Sequence, residues 1–123
     1  MKKEFVPYDL SLQLKEMGFK DKCFGFYYDK KFIYTHELSP IVGDGVVDAP
    51  LWQQVFDWFR YVMLLDNFIT PYWFIDGEYK VKKYIYSIEP SNRFDEYFDC
   101  DSDQYDTYEE ARLECLKKLL SIC

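Results

Sequence analysis

Residues 50–65 constrain the fold more than any other stretch of this chain. Trp52, Val55, Phe56, Phe59, Val62 and Met63 recur at helical spacing, with Gln53, Gln54, Asp57 and Arg60 on the opposite side. That pattern predicts an amphipathic helix with one apolar stripe to bury. Leu51 and Trp58 widen the stripe beyond what a single neighbour would cover, so the helix is expected at the centre of the core. Pro50 suits its first turn at N1, where a missing N–H costs nothing.

The other elements follow from similar patterns. Leu10, Leu14 and Met17 predict a helix over residues 8–17, stopped by Gly18 in a Schellman ending with Phe19 packing back. Strands are expected at Cys23–Tyr28 and Lys31–His36 around a tight turn at Asp29-Lys30. Residues 37–47, with Pro40, Gly43 and Gly45, read as a loop. A hairpin follows, with strands Phe68–Ile75 and Glu78–Ile88 around a type I′ turn at Asp76-Gly77. Alternation slips in its second strand, where Tyr79 and Val81 share one parity and Tyr84, Tyr86 and Ile88 the other, and a bulge near Lys82-Lys83 would reconcile them. A last helix is predicted over 108–121. The expected fold class is α+β, an antiparallel sheet of about four strands with three helices in the order α-β-β-α-β-β-α, helices mainly on one face. With 123 residues the expectation is a single domain, 1–123.

Composition narrows the function. The net charge of −7 is concentrated in residues 95–110, which hold eight Asp and Glu and no Lys or Arg, and the nearest basic cluster is Lys80, Lys82 and Lys83. Nucleic acid is therefore an unexpected partner, because affinity for it comes largely from Lys and Arg neutralising phosphates. No apolar run has the length of a membrane span, and Glu4, Pro7 and Asp9 break any signal-peptide core. Cys23, Cys100, Cys115 and Cys123 form no Cys-x-x-Cys pair and are expected as reduced thiols in a cytoplasmic protein.

Candidate sites are few. Asp99, Asp101, Asp103 and Glu110 match positions 1, 3, 5 and 12 of a calcium loop, although Gln104 stands where the sharp turn wants Gly and Asp106 where an apolar residue is usual. The same residues also read as a helix start, with Thr107 as N-cap and Glu110 at N3 in a capping box. Calcium is thus the single cofactor the sequence suggests, and the capping reading needs none. His36 is the only histidine, which leaves at most a Cys23/His36 pair for nucleophilic chemistry. Gly43-Asp44-Gly45 lacks the further glycines of a phosphate loop.

Aromatic residues make up 21% of the chain, with 12 Tyr, 11 Phe and 3 Trp, more than one small core readily encloses. Tyr27, Tyr72, Trp73, Tyr84 and Tyr86 are the candidates for an exposed aromatic sheet face that binds a protein partner or a second copy of the chain.

Three segments, Leu14-Lys15-Glu16-Met17-Gly18-Phe19 with Cys23-Phe24, Ala49–Arg60, and Tyr105-Asp106-Thr107-Tyr108-Glu109-Glu110-Ala111, resemble a family of small uncharacterised proteins from phages, prophages and chromosomes of Bacteroidetes. The resemblance implies a phage or mobile-element origin and carries no catalytic residues. The expectation is a non-enzymatic protein-interaction domain. The alternative is a metal-binding or carboxylate-based enzyme using the acidic loop 99–110.

Overall fold

The computed structural model describes residues 2–39, 45–90, 100–101 and 103–122. The chain is an α+β fold with, among the described residues, three α-helices, α1 (Tyr8–Met17), α2 (Trp52–Tyr61) and α3 (Tyr108–Ile122). Its strands are β1 (Cys23–Tyr28), β2 (Lys31–Ser39), β3 (Val46–Ala49), β4 (Leu65–Asp76), β5 (Tyr79–Pro90) and β6 (Cys100–Asp101). Among the described residues all strand pairs are antiparallel, and they form two three-stranded sheets, β2-β1-β3 and β4-β5-β6, where the sequence suggests one sheet of about four strands. The extra members are β3 and β6. Two compact units result, residues 1–58 and 59–123, with the boundary inside α2.

In the first unit, α1 ends as its sequence requires. Gly18 has φ 103, its N–H donates to the Lys15 carbonyl, and the Phe19 N–H donates to the Leu14 carbonyl, which is the Schellman pattern. Phe19 is buried and meets Trp58 edge to face. Asp29 and Lys30, at φ 50 and 63, form the two-residue turn between β1 and β2. β3 occupies the end of the expected loop, pairing Val46 to Ala49 with Tyr28 to Gly25. The first-unit core gathers Phe5, Tyr27, Val47 and Ala49, with Tyr8, Leu12, Phe24, Phe32 and Leu51 packed against it.

Helix α2 starts later and stops earlier than its stripe suggests. Pro50 is not N1: the Val6 N–H donates to the Pro50 carbonyl and Leu51 bridges Phe5, so the chain stays extended through Leu51. Leu51 is then the cap. Its N–H donates to Gln54 Oε1 at 2.9 Å, one half of a capping box. At the other end Leu64 takes φ 56, and Val62 and Met63 fall outside the helix and are exposed. The buried stripe is therefore Trp52, Val55, Phe56 and Phe59, with Trp58 beside it.

The second unit is built on β4 and β5, which pair without interruption from Leu65↔Pro90 to Asp76↔Tyr79. The central turn residues are Gly77 and Glu78, one residue later than expected. Only Gly77 has positive φ, at 64, so Gly fills the first central position as in a type II′ turn. The ladder contains no bulge at Lys82-Lys83. Tyr79 and Val81 belong to the opposite face from Tyr84, Tyr86 and Ile88. α3 packs on β4 and β5 through Ala111, Cys115, Leu116, Leu119 and Leu120, all buried.

The start of α3 follows the sequence. The Glu110 N–H donates to Thr107 Oγ1 at 3.1 Å, and the Ala111 N–H donates to the Thr107 carbonyl. Glu109 and Glu110 lie in the positive first turn. Thr107→Ala is expected to lower stability by about 1 kcal/mol, whereas Thr107→Asp, which keeps an acceptor at the cap, leaves it nearly unchanged. Urea unfolding of the two variants checks the cap.

Candidate functional site

The strict pairing of β4 with β5 sorts their side chains onto two faces. One face carries Leu65, Asn67, Ile69, Pro71, Trp73 and Ile75, opposite Ile88, Tyr86, Tyr84, Lys82 and Lys80. Its inner half is core, since Leu65, Asn67, Tyr86 and Ile88 are buried. Tyr86 stacks on Tyr105 and Tyr84 meets Tyr108 of α3 edge to face, which places α3 on this side. The other face carries Phe68, Thr70, Tyr72 and Phe74, opposite Ser87, Ile85, Lys83 and Val81.

Burial ends midway along the hairpin. Tyr72 is 44% exposed, Trp73 51%, Ile75 80% and Tyr79 77%, so the outer half is open on both faces. On the α3 side the lysines replace the helix as cover. Lys80 Nζ lies 4.7 Å and Lys82 Nζ 5.2 Å from the Trp73 ring centre, and Lys82 also reaches the Tyr84 ring. All three are cation–π contacts at a wet surface. On the opposite face Tyr72 and Phe74 touch, and Lys83 forms an ion pair with Asp106.

The main chain of the outer edge can be assigned as well. Tyr84 and Tyr105 exchange both N–H···O=C bonds at 2.8 Å, so the polar groups of Tyr84 face away from β4. Its partner Pro71 therefore sits in a non-hydrogen-bonded pair, with its carbonyl on the free edge of the sheet. By alternation, Asn67, Ile69, Trp73 and Ile75 also point their N–H and C=O groups outward. The Asn67 carbonyl confirms this, since it accepts from Arg60 Nη2 at 2.8 Å. Proline lacks the donor that an incoming strand would need at its centre, a common way to blunt an edge.

Of the five aromatic candidates, Tyr72 and Trp73 are on this surface and Tyr84 is half buried at its margin. Tyr27 and Tyr86 are corrections. Both are buried because their parity faces the core, and the Tyr27 hydroxyl donates to the Val6 carbonyl at 2.8 Å. Phe68, Ile75, Tyr79, Lys80 and Lys82 also belong to the surface; the sequence marks the two lysines only as part of a basic cluster and none of the five as a site residue. The lysine cluster adjoining an aromatic hairpin was the signal that could have found them.

The acidic candidates are placed differently from a calcium loop in their described part. Asp99 lies outside the described residues, Cys100–Asp101 forms β6 against Ile88 and Ser87, and Tyr105 pairs with Tyr84. Cys100, Asp101 and Tyr105 are paired to β5, whereas the ligands of a calcium loop curl around their ion. Asp103 and Glu110 are exposed, and among the described residues no three His, Cys, Asp or Glu side chains gather as a metal site.

Cys23 is buried, and its thiol donates to the Asp21 carbonyl at 3.3 Å. Burial, with the negative charges of Asp48 and Asp21, pushes the Cys23 thiol up to about 12, the reverse of an activated nucleophile. His36 lies in β2 where the β1–β2 register is irregular, between the Gly25↔Tyr34 and Cys23↔Ser39 pairs. Asp48 is also raised by burial, with Lys15 pulling the other way. A shallow apolar cavity of about 230 Å³ in the first unit is lined by Glu4, Phe5, Phe24, Tyr34 and Leu51. Among the described residues no helix is long and apolar enough to cross a membrane.

No family model, curated protein or solved structure matches this chain.

The raised Cys23 thiol makes stability pH-dependent with a definite sign. The unfolded thiol loses its proton above about pH 9 while the folded one keeps it to about 12, so stability falls as pH rises across that window. Tyr27, raised by burial, acts in the same direction. Urea midpoints measured from pH 8 to 11 should decline, and the decline should be shallower in Cys23→Ala.

Proposed function

We infer that this chain is a non-enzymatic protein-interaction domain whose working surface is the outer half of the β4–β5 hairpin. One observation carries the reading: Phe68, Tyr72, Trp73, Ile75 and Tyr79 are exposed on one continuous ladder. Large aromatic side chains offer about 150–250 Å² each, so the exposed parts of Phe68, Tyr72 and Tyr79 leave on the order of 300 Å² of largely apolar surface on one face, with Trp73 and Ile75 adding a smaller area on the other. Patches of that size mark interaction sites more often than chance. Tyr and Trp suit the role, since they tolerate water in the free state and lose little side-chain entropy when covered.

The reading is supported by what the titratable groups do elsewhere. Cys23 is locked as a thiol, and the acidic segment is used in its described part for strand pairing, the Thr107 cap and the Lys83–Asp106 ion pair. The family resemblance adds a setting, an accessory protein of a phage or mobile element acting on a protein partner in the cytoplasm.

A photo-crosslinking amino acid at Tyr79, compared with the same group at Tyr28 on β1, tests the proposal in cell extract. Defined protein adducts are expected from position 79. They should disappear when Tyr72→Ser and Phe74→Ser are combined in a chain that keeps its far-ultraviolet dichroism. Adducts that persist in that variant, or that form equally from position 28, would overturn the assignment.

A further inference from the structure

The outer edge of β4 offers a partner more than apolar area. The Pro71 carbonyl and the N–H and C=O groups of Trp73 and Ile75 face outward, and among the described residues no strand pairs with them. Farther in, the edge is closed by Arg60 on the Asn67 carbonyl and by the donor missing from Pro71. The open main chain is thus confined to the last few residues before the turn.

The two faces beside that edge differ in charge. On one, Lys80 and Lys82 are rooted in β5 but lean onto Trp73, which brings their ammonium groups over β4. Asp76 is on the other face and Glu78 in the turn, so no acidic strand residue of the outer ladder shares the side of these lysines. On the second face Tyr72, Phe74 and Val81 are apolar, and the charge of Lys83 is met by Asp106.

Resting on the interaction reading above, we propose that the β4 edge from Pro71 to Ile75 takes up an extended peptide by strand addition, with acidic side chains toward Lys80 and Lys82 alternating with apolar ones toward Tyr72 and Phe74. A strand added to a sheet lies about 4.8 Å from its neighbour and sends successive side chains to opposite faces. Main-chain bonds then supply affinity and the alternation supplies specificity, the usual division in strand addition. A second copy of β4 is the poorer occupant. Residues 68–75 contain no acidic side chain to meet the lysines, and an edge shared between two copies would hold two prolines. A nucleic acid would meet few cations here and could not use the main-chain edge.

The full chain is titrated with the acetylated, amidated peptide (Glu-Val)4 while tryptophan emission is followed. Trp52 and Trp58 are buried, so the half-exposed Trp73 reports. A saturable blue shift is expected, absent with (Lys-Val)4. N-methylation of either the Glu or the Val amides, whichever set faces β4, should abolish it. Combined Lys80→Glu and Lys82→Glu should weaken it by about tenfold or more. Ile75→Pro should abolish it too, and because the Ile75 N–H faces outward the variant loses no ladder bond to β5. The N-methylated peptides provide the same test without altering the protein.

Equal response to the lysine peptide, indifference to both methylations, a comparable shift with oligothymidylate, or concentration-dependent dimerisation in light scattering would each overturn strand addition. If Tyr79 adducts persist unchanged in Ile75→Pro while the peptide fails to bind, strand addition falls and the hairpin remains an interaction surface. Loss of adducts from position 79 in every chain would remove both.

Discussion

The uninterrupted pairing of β4 with β5 governs the second unit, because a ladder without a bulge fixes the facing of every side chain along it. Once Tyr86 and Ile88 turn toward α3, Lys80, Lys82 and Tyr84 must lie on that same side. The helix covers only the inner part of this face. Farther out the lysines lie over Trp73, and the apolar sequence of β4 continues into solvent. The same ladder directs the Pro71 carbonyl to the free edge, where proline's missing donor does no harm to the sheet.

Much of the fold was legible because local chemistry and burial agree. Gly18 with Phe19 specifies the end of α1, and Thr107 with Glu110 specifies the start of α3. The main errors arise where long-range pairing decides. β3 is a four-residue strand next to glycine-rich sequence, and its existence depends on β1. β6 holds two residues inside an acidic run with no apolar alternation to reveal it. Pro50 looked like a first-turn proline, but a hydrogen bond from Val6 and the Phe5–Leu51 bridge hold the chain extended past it.

The candidate site was half legible for a related reason. Alternation reports facing only where one face is buried, and the outer hairpin is open on both. The change of parity after Val81 therefore looked like a bulge when it marks the point at which burial begins. Residue type alone groups Tyr27 and Tyr86 with Tyr72 and Trp73, although their positions in the ladders send them into the two cores. For the lysines that define one face, sequence shows the charge and not the ring they cover.

Gly77 has a further consequence for how the chain survives its own synthesis. Residues 68–75 form an uncharged, largely apolar octapeptide in which Pro71 alone interrupts the pattern that invites pairing between chains. Its partner strand follows after a two-residue loop, and closure of so local a hairpin takes on the order of microseconds. Encounters between separate chains are slower at cellular concentrations, so one edge of β4 is occupied before a neighbour arrives. The inner part of the remaining edge is then guarded by Arg60 and Pro71, leaving only the tip accessible.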